Sequence, residues 1–303
     1  MKNKYFDIQV NGYAGVDFNQ NDMSLDELLK ACDKLAQDGV EGVLATIITA
    51  DFPDMIMRVN NLVKYRKQSL KVANMIKGIH LEGPFINGAD GYRGAHPQEF
   101  ILRPTVERMA LLLEACDGLL KLVTLAPEKD EGNLVTKFLH HQGIVVSAGH
   151  CDPSFEQLKQ AVAEGLSMFT HLGNGCPQLL HRHDNIIQRA LSLKDRLWLC
   201  FIADGHHVPF HALKNYIDLV GVDRVIITTD AMAAAGAKKG LYTLSNITLE
   251  VGEDRIVREP GKSNFAGSAI DMKSSAENLG RQLGLTPEQI HQVTYTNAME
   301  AFY

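Results

Sequence analysis

The stretch 143–174, GIVVSAGHCDPSFEQLKQAVAEGLSMFTHLGN, holds two short apolar runs, 143–148 and 166–170, each leading directly to a histidine, His150 and His171. Both runs are too short and too rich in β-branched or aromatic residues for helices, and both read as strands with polar tips. Between them Phe155, Leu158, Ala161 and Val162 recur at helical spacing, with Asp152 and Ser154 placed to cap the helix start. The pattern is one βαβ unit. Parallel strands in such a unit end on the same side, so the two imidazoles are expected to face one crevice. A histidine at a strand end is also an ordinary polar residue at the rim of a core. What separates a metal site from that plain alternative is whether other strands end in ligands too.

The same alternation extends to both sides of this unit. Strands are expected at 6–10, 43–49, 75–81 and 119–125, with helices at 24–37, 53–67, 106–115 and 134–141. Beyond it, helices at 186–193 and 210–220 alternate with strands at 198–203 and 225–229, and helices at 272–283 and 287–298 close the chain. Eight strands alternating with helices point to a (β/α)8 TIM barrel, and 303 residues suffice for one such domain spanning 1–303. The segment 241–256 alternates like a strand pair and is expected as a β insertion after the last barrel strand.

Barrels of this type build their sites at the carboxyl ends of the strands. Glu82, His150, His171, His207 and Asp230 end or follow strands three, five, six, seven and eight. One carboxylate and two imidazoles, Glu82, His150 and His171, make a three-ligand open site for a divalent ion such as zinc. Such an ion would lower the pKa of a water toward neutrality and polarise a carbonyl. Asp230 is placed to take the water's proton and pass it to a leaving nitrogen, and His207 to donate a hydrogen bond to the oxyanion. Two long loops, 88–104 and 173–185, carry Arg93, His96, Asn174, Gly175, Arg182 and further polar groups suited to an anion or sugar hydroxyls.

Composition narrows the alternatives. The formal charge is -6 with mixed signs and no basic cluster, which argues against nucleic acid as a partner. Five scattered cysteines without a CxxC pair fit reduced thiols in a cytoplasmic protein. No apolar stretch approaches membrane-spanning length, and the N-terminal MKNKYFDIQVNG has no long apolar core of a signal peptide. Nucleotide-binding glycine motifs and the GxSxG elbow are absent. A thiol nucleophile at Cys151 or Cys176, activated by His150, is a rival reading that leaves Glu82, His171 and Asp230 without a task.

The strings DIQVNGYAGVDF, HLEGPF, RGAH, SAGH, THLGNG, HRHD, IADGHHV, TTDAM and FAGSAIDM, in this order, resemble the N-acetylglucosamine-6-phosphate deacetylases of the amidohydrolase superfamily. The resemblance spans nearly the whole chain. It implies metal ligands at Glu82, His150 and His171, and a catalytic aspartate at Asp230. Substrate contacts are implied at Ala95 beside His96, at Asn174 and Gly175, at His207, and at Phe265, Ala266 and Gly267. The phosphate-binding arginine matches Arg182, a role suited to a guanidinium that forks onto phosphate oxygens. Many amidohydrolases carry a His-x-His pair at the end of the first strand for a second metal; here those positions are Gln9 and Asn11, which looks like the mononuclear branch.

The resemblance further implies a homodimer, with His96 a candidate for a contact from the neighbouring subunit. Relatives flank the barrel with a small β-sandwich, which is expected to be missing or reduced here, with 241–256 its remnant or a plain insertion. Two strings depart from the family's usual pattern: THLGNGC replaces THL-NAM, and Arg182 stands in LLHRHDN. The implied reaction is hydrolysis of the acetamide of N-acetylglucosamine 6-phosphate to glucosamine 6-phosphate and acetate. The alternatives are a relative acting on another N-acyl amino sugar or a cyclic amide, and a non-catalytic barrel that binds a sugar phosphate.

Overall fold

Residues 4–261 and 265–303 are described by the computed structural model, and within them eight parallel strands form one sheet in chain order. They are β1 Tyr5–Val10, β2 Val40–Ile48, β3 Ile76–Glu82, β4 Leu120–Leu125, β5 Val145–Ala148, β6 Leu166–Phe169, β7 Trp198–Ile202 and β8 Val225–Thr228. These strands read as near-continuous apolar runs because both faces are covered; in β2, VEGVLATII, Glu41 alone is exposed. The first and last strands meet through a parallel bridge between Val10 and Ala231. Asp7 on β1 tightens that closure by accepting from Thr228 Oγ1 at 2.7 Å and Thr229 Oγ1 at 2.5 Å. The (β/α)8 expectation is therefore met.

The helices form the outer ring. In α1, Leu25–Gln37, the face Leu28, Ala31, Cys32 and Leu35 is buried, and Ser24 with Glu27 makes a capping box at its start. In α6, Phe155–Ala163, the buried residues are Leu158, Ala161 and Val162, again behind a capping box, from Ser154 and Gln157. Side chains from six strands, Phe6, Ile8, Leu44, Leu122, Met168, Cys200 and Ile226, meet Ala298 in one interior cluster. Tyr295, Met299 and Phe302 pack against that cluster, so the C-terminal helix plugs the amino-terminal end of the barrel.

The expected helix 287–298 is present but not uniform. Pro287–His291 is α-helical, Gln292–Thr296 winds as a π-helix, and Asn297–Phe302 returns to α. Asn297 Nδ2 donates to the carbonyls of Val222 at 2.7 Å and Val225 at 2.6 Å, fastening the plug to the start of β8. Two elements were not expected. A short helix, Leu70–Met75, is capped by Ser69, and a hairpin pairs Gly12–Tyr13 with Val16–Asp17. Its turn residues Ala14 and Gly15 both have positive φ, and two-residue strands are too short to show alternation.

The 241–256 segment forms part of a separate antiparallel sheet, β9 Gly240–Leu244, β10 Ile247–Val251 and β11 Val257–Arg258. Its β9–β10 turn is docked on the barrel: Ser245 N–H donates to Asp17 Oδ2 at 2.8 Å, and buried Arg58 donates to Ser245 Oγ at 3.0 Å. Asn264, part of the string that ends in Phe265, Ala266 and Gly267, lies outside the described residues.

Candidate active site

Glu82 is the last residue of β3, and Gly83 then turns the chain away with φ 85°. His150, His171 and Asp230 each stand two residues past the end of their strand, β5, β6 and β8. All three have left-handed backbones, with φ of 50°, 32° and 52°. That conformation costs a residue with a Cβ about 1–2 kcal/mol, a strain the surrounding barrel must hold in place. Its effect is to turn each side chain over the barrel mouth.

There the donor atoms converge. His171 Nε2 lies 2.9 Å from Glu82 Oε1 and 3.1 Å from His150 Nε2, and His150 Nε2 lies 3.3 Å from Glu82 Oε1. Ligands about 2.0–2.2 Å from a tetrahedral ion stand roughly 3.3 Å apart, so the three atoms fit a divalent cation. The tautomer fits as well. His150 Nδ1 faces the Tyr92 carbonyl at 2.7 Å, which can only accept, so the proton is on Nδ1 and the Nε2 lone pair faces Glu82. Burial works against a charge on Glu82, but the bonds from His150 and His171 outweigh it and hold its carboxyl well below the usual range.

Two further imidazoles surround this cluster, and burial keeps both uncharged. His80 on β3 is pushed down to about 4 and His96 to about 3. His80 bonds Thr124 Oγ1 at 2.8 Å, which continues to Thr170 at 2.7 Å and on to Ser147 at 2.7 Å. A polar floor without positive charge suits a cation above it. Glycines let the walls close in: a Cβ at Gly175 would stand 2.9 Å from His150 Nδ1, and one at Gly94 would stand 3.1 Å from His150 Cε1.

Asp230 Oδ1 accepts from Gln9 Nε2 at 3.0 Å and Asn11 Nδ2 at 2.8 Å. Burial, with the neighbouring Glu82 charge, pushes its carboxyl up to about 6. A group poised near neutrality can both take and return a proton. Gln9 Nε2 also donates to Glu82 Oε1 at 3.0 Å, so an amide stands between the two carboxylates. His207 Nδ1 donates to Asp204 Oδ2 at 2.6 Å, and its ring packs on Phe265 with centroids 5.0 Å apart.

These groups line a crevice of about 750 Å³ at the carboxyl end of the barrel. Of the residues expected to touch substrate, Ala95, His96, Asn174, Gly175, His207, Phe265, Ala266 and Gly267 all line it, with Leu244 from the small sheet. Arg182 does not: it is exposed on its loop and stands apart from the lining, whereas Arg93 is within it. His96 also departs from expectation. It is 5% exposed, bonded through Nδ1 to Thr49 Oγ1 at 2.8 Å and packed edge-on against His150, so it faces its own crevice rather than a neighbouring subunit. The thiol reading does not fit either, because burial pushes Cys151 well above its ordinary value and Cys176 up to about 11.

A parallel barrel with one carboxylate, two imidazoles and a raised aspartate at its carboxyl rim defines a metal-dependent hydrolase of the amidohydrolase type. No family model matches the chain. It is 31% identical to the N-acetylgalactosamine-6-phosphate deacetylase of Escherichia coli O157:H7 over 295 residues, 96% of this chain and 75% of that protein. With the N-acetylglucosamine-6-phosphate deacetylase of Bacillus subtilis it shares 30% identity over 96% of this chain and 72% of the relative. The solved N-acetyl-D-glucosamine-6-phosphate deacetylase of Mycobacterium smegmatis superposes with a TM-score of 0.89 at 26% identity, covering 99% of this chain and 77% of that one. The chain belongs to the N-acetylglucosamine-6-phosphate deacetylase family, hydrolases that act on an acetamide.

Sequence reasoning named the three ligands and Asp230 but missed how Gln9 and Asn11 serve them. Neither carries a signal for it: an amide that fails to match a metal-ligand pattern does not announce that it donates to two carboxylates from distant strands.

Proposed function

We infer that the chain hydrolyses the acetamide of N-acetylglucosamine 6-phosphate, giving glucosamine 6-phosphate and acetate in amino-sugar catabolism. Membership of the deacetylase family supports this, and the observation that carries it is the convergence of Glu82, His150 and His171 beside an aspartate raised to about 6. A divalent ion held by these three residues would supply Lewis acidity, activating a water and polarising the acetamide carbonyl.

The chain's own groups account for the protons. Asp230 takes a proton from the attacking water and hands it to the amide nitrogen, so the C–N bond breaks with a neutral amine leaving. His207, lining the same crevice, donates to the carbonyl oxygen as it gains negative charge. Ala95, His96, Asn174, Gly175 and the 265–267 turn hold the sugar. A guanidinium meets the phosphate, with Arg93 in the crevice wall and Arg182 on the adjacent loop.

One zinc ion per chain belongs to the same reading, supported by the mixed nitrogen and oxygen donor set and by amides at positions 9 and 11. It treats 1–303 as one barrel domain and expects a homodimer in the cytoplasm. A sugar-phosphate-binding barrel without turnover is less favoured, since binding alone has no need for a buried aspartate near neutrality.

The test is amine release by the zinc-loaded protein from N-acetylglucosamine 6-phosphate, its galacto epimer and unphosphorylated N-acetylglucosamine, side by side. Cleavage confined to the phosphorylated sugars supports the reading. Zinc binding with no cleavage of any of the three would remove the substrate assignment.

A further inference from the structure

The turn that carries His207 holds a second carboxylate, Asp204, two residues past the end of β7. Its Oδ1 accepts the backbone N–H groups of His206 and His207, each at 2.8 Å. That anchoring leaves Oδ2 for His207 Nδ1 at 2.6 Å. Both side chains are largely enclosed, 8% exposed for His207 and 12% for Asp204. Phe265 covers one side of the ring. Burial opposes a charge on Asp204, yet the His207 bond and the two amides hold its carboxyl below its ordinary value.

A carboxylate has only lone pairs to offer, so the proton of this bond belongs to His207 Nδ1. A neutral His207 then presents a bare lone pair at Nε2, able only to accept. An oxyanion requires a donor. We propose that Asp204 is a positioning residue that makes His207 the hydrogen-bond donor of the crevice, its charge stabilising the doubly protonated ring so that Nε2–H meets the developing oxyanion. The inference rests on the deacetylase reading, in which His207 meets the acetamide oxygen. Asp230 at the end of β8 is the other anion that acts on His207, and it favours the same protonated ring. His206 adjoins it in the chain, and Phe265 brings no charge.

The test uses the zinc-loaded full chain with N-acetylglucosamine 6-phosphate and the variants Asp204→Asn, His207→Gln and the double variant. His207→Gln should lower kcat roughly 100-fold. Asp204→Asn should lower it at least roughly tenfold with KM changed less than about threefold, because an amide facing Nδ1 loses the charge assistance. The double variant should be no slower than His207→Gln. In imidazole nitrogen NMR spectra, with the His207 signals assigned by their loss in His207→Gln, Nδ1 should carry a proton in the wild-type protein. A wild-type kcat in Asp204→Asn, or additive losses in the double variant, overturns the proposal while His207 keeps its role. A wild-type kcat in His207→Gln overturns both. A bare Nδ1 in the wild-type spectrum overturns the proposal even if Asp204→Asn does not fold or no substrate turns over.

Discussion

The side-chain amide of Gln9 donates to Glu82 Oε1 and to Asp230 Oδ1, both at 3.0 Å. One nitrogen thus separates the ligand carboxylate from the proposed base, where two buried anions would otherwise repel. Because an amide rather than a metal ligand occupies that position, elemental analysis of dialysed protein should find close to one ion per chain. Gln9→His combined with Asn11→His exchanges the amide donors for imidazole acceptors and should raise the count toward two. A wild-type count of two would mean that the amide does not stand in for a cation.

Asp230→Asn should lower kcat by roughly 10²–10⁴-fold while the ion content stays unchanged. Its stability should move the other way. The folded pKa, about 6, lies above the unfolded value of 3.8, so the folded state binds more protons between those pH values and loses stability as pH rises through them. At pH 7, metal-free Asp230→Asn should therefore be more stable than the wild type by on the order of 2 kcal/mol, with the gap closing below about pH 4. Chemical denaturation at both pH values reads this out; an unchanged gap would contradict the buried-charge account.

Glu82→Gln removes the one anionic ligand of the cluster. Wild-type protein should melt at a higher temperature with zinc than with a chelator, by about 4 °C when the ion is at 100 times its dissociation constant. The variant should melt at one temperature in both conditions. A zinc response that survives in Glu82→Gln would place the ion elsewhere.

Asp7→Ala removes the acceptor for Thr228 Oγ1, Thr229 Oγ1, Thr229 N–H and Gln9 N–H at the barrel's closure. Leaving buried donors unsatisfied should cost about 3 kcal/mol, a fall of roughly 5 °C in Tm. A fall under about 1 °C would show that the seam is held by the backbone bridge alone.

Arg93→Ala should raise KM for the phosphorylated sugar roughly tenfold or more, and Arg182→Ala by less than about threefold, since only Arg93 lines the crevice. The reverse order would return the phosphate to the 173–185 loop.

The strands and most helices could be read in the sequence because alternation and helical spacing are properties of neighbouring residues. The βαβ unit at 143–174 shows this well: both its strands, its helix and the Ser154 cap stand where the spacing puts them. The π-wound turn at Gln292–Thr296 could not be read in that way, because its pattern serves the packing of Tyr295 against the barrel interior. His96 and Arg182 mark the other limit. Both sit in polar loops of similar composition, yet one is buried against His150 and the other faces solvent.

The order of strands and helices, and the ligand-type side chains at the strand ends, are written in the sequence, since each depends on a few adjacent residues. Which nitrogen of each imidazole faces the crevice, which amide separates the two carboxylates and which arginine lines the wall depend on the closed barrel. Those relations join residues such as Gln9 and Asp230, 221 positions apart, whose contact exists only because β1 and β8 meet to complete the ring.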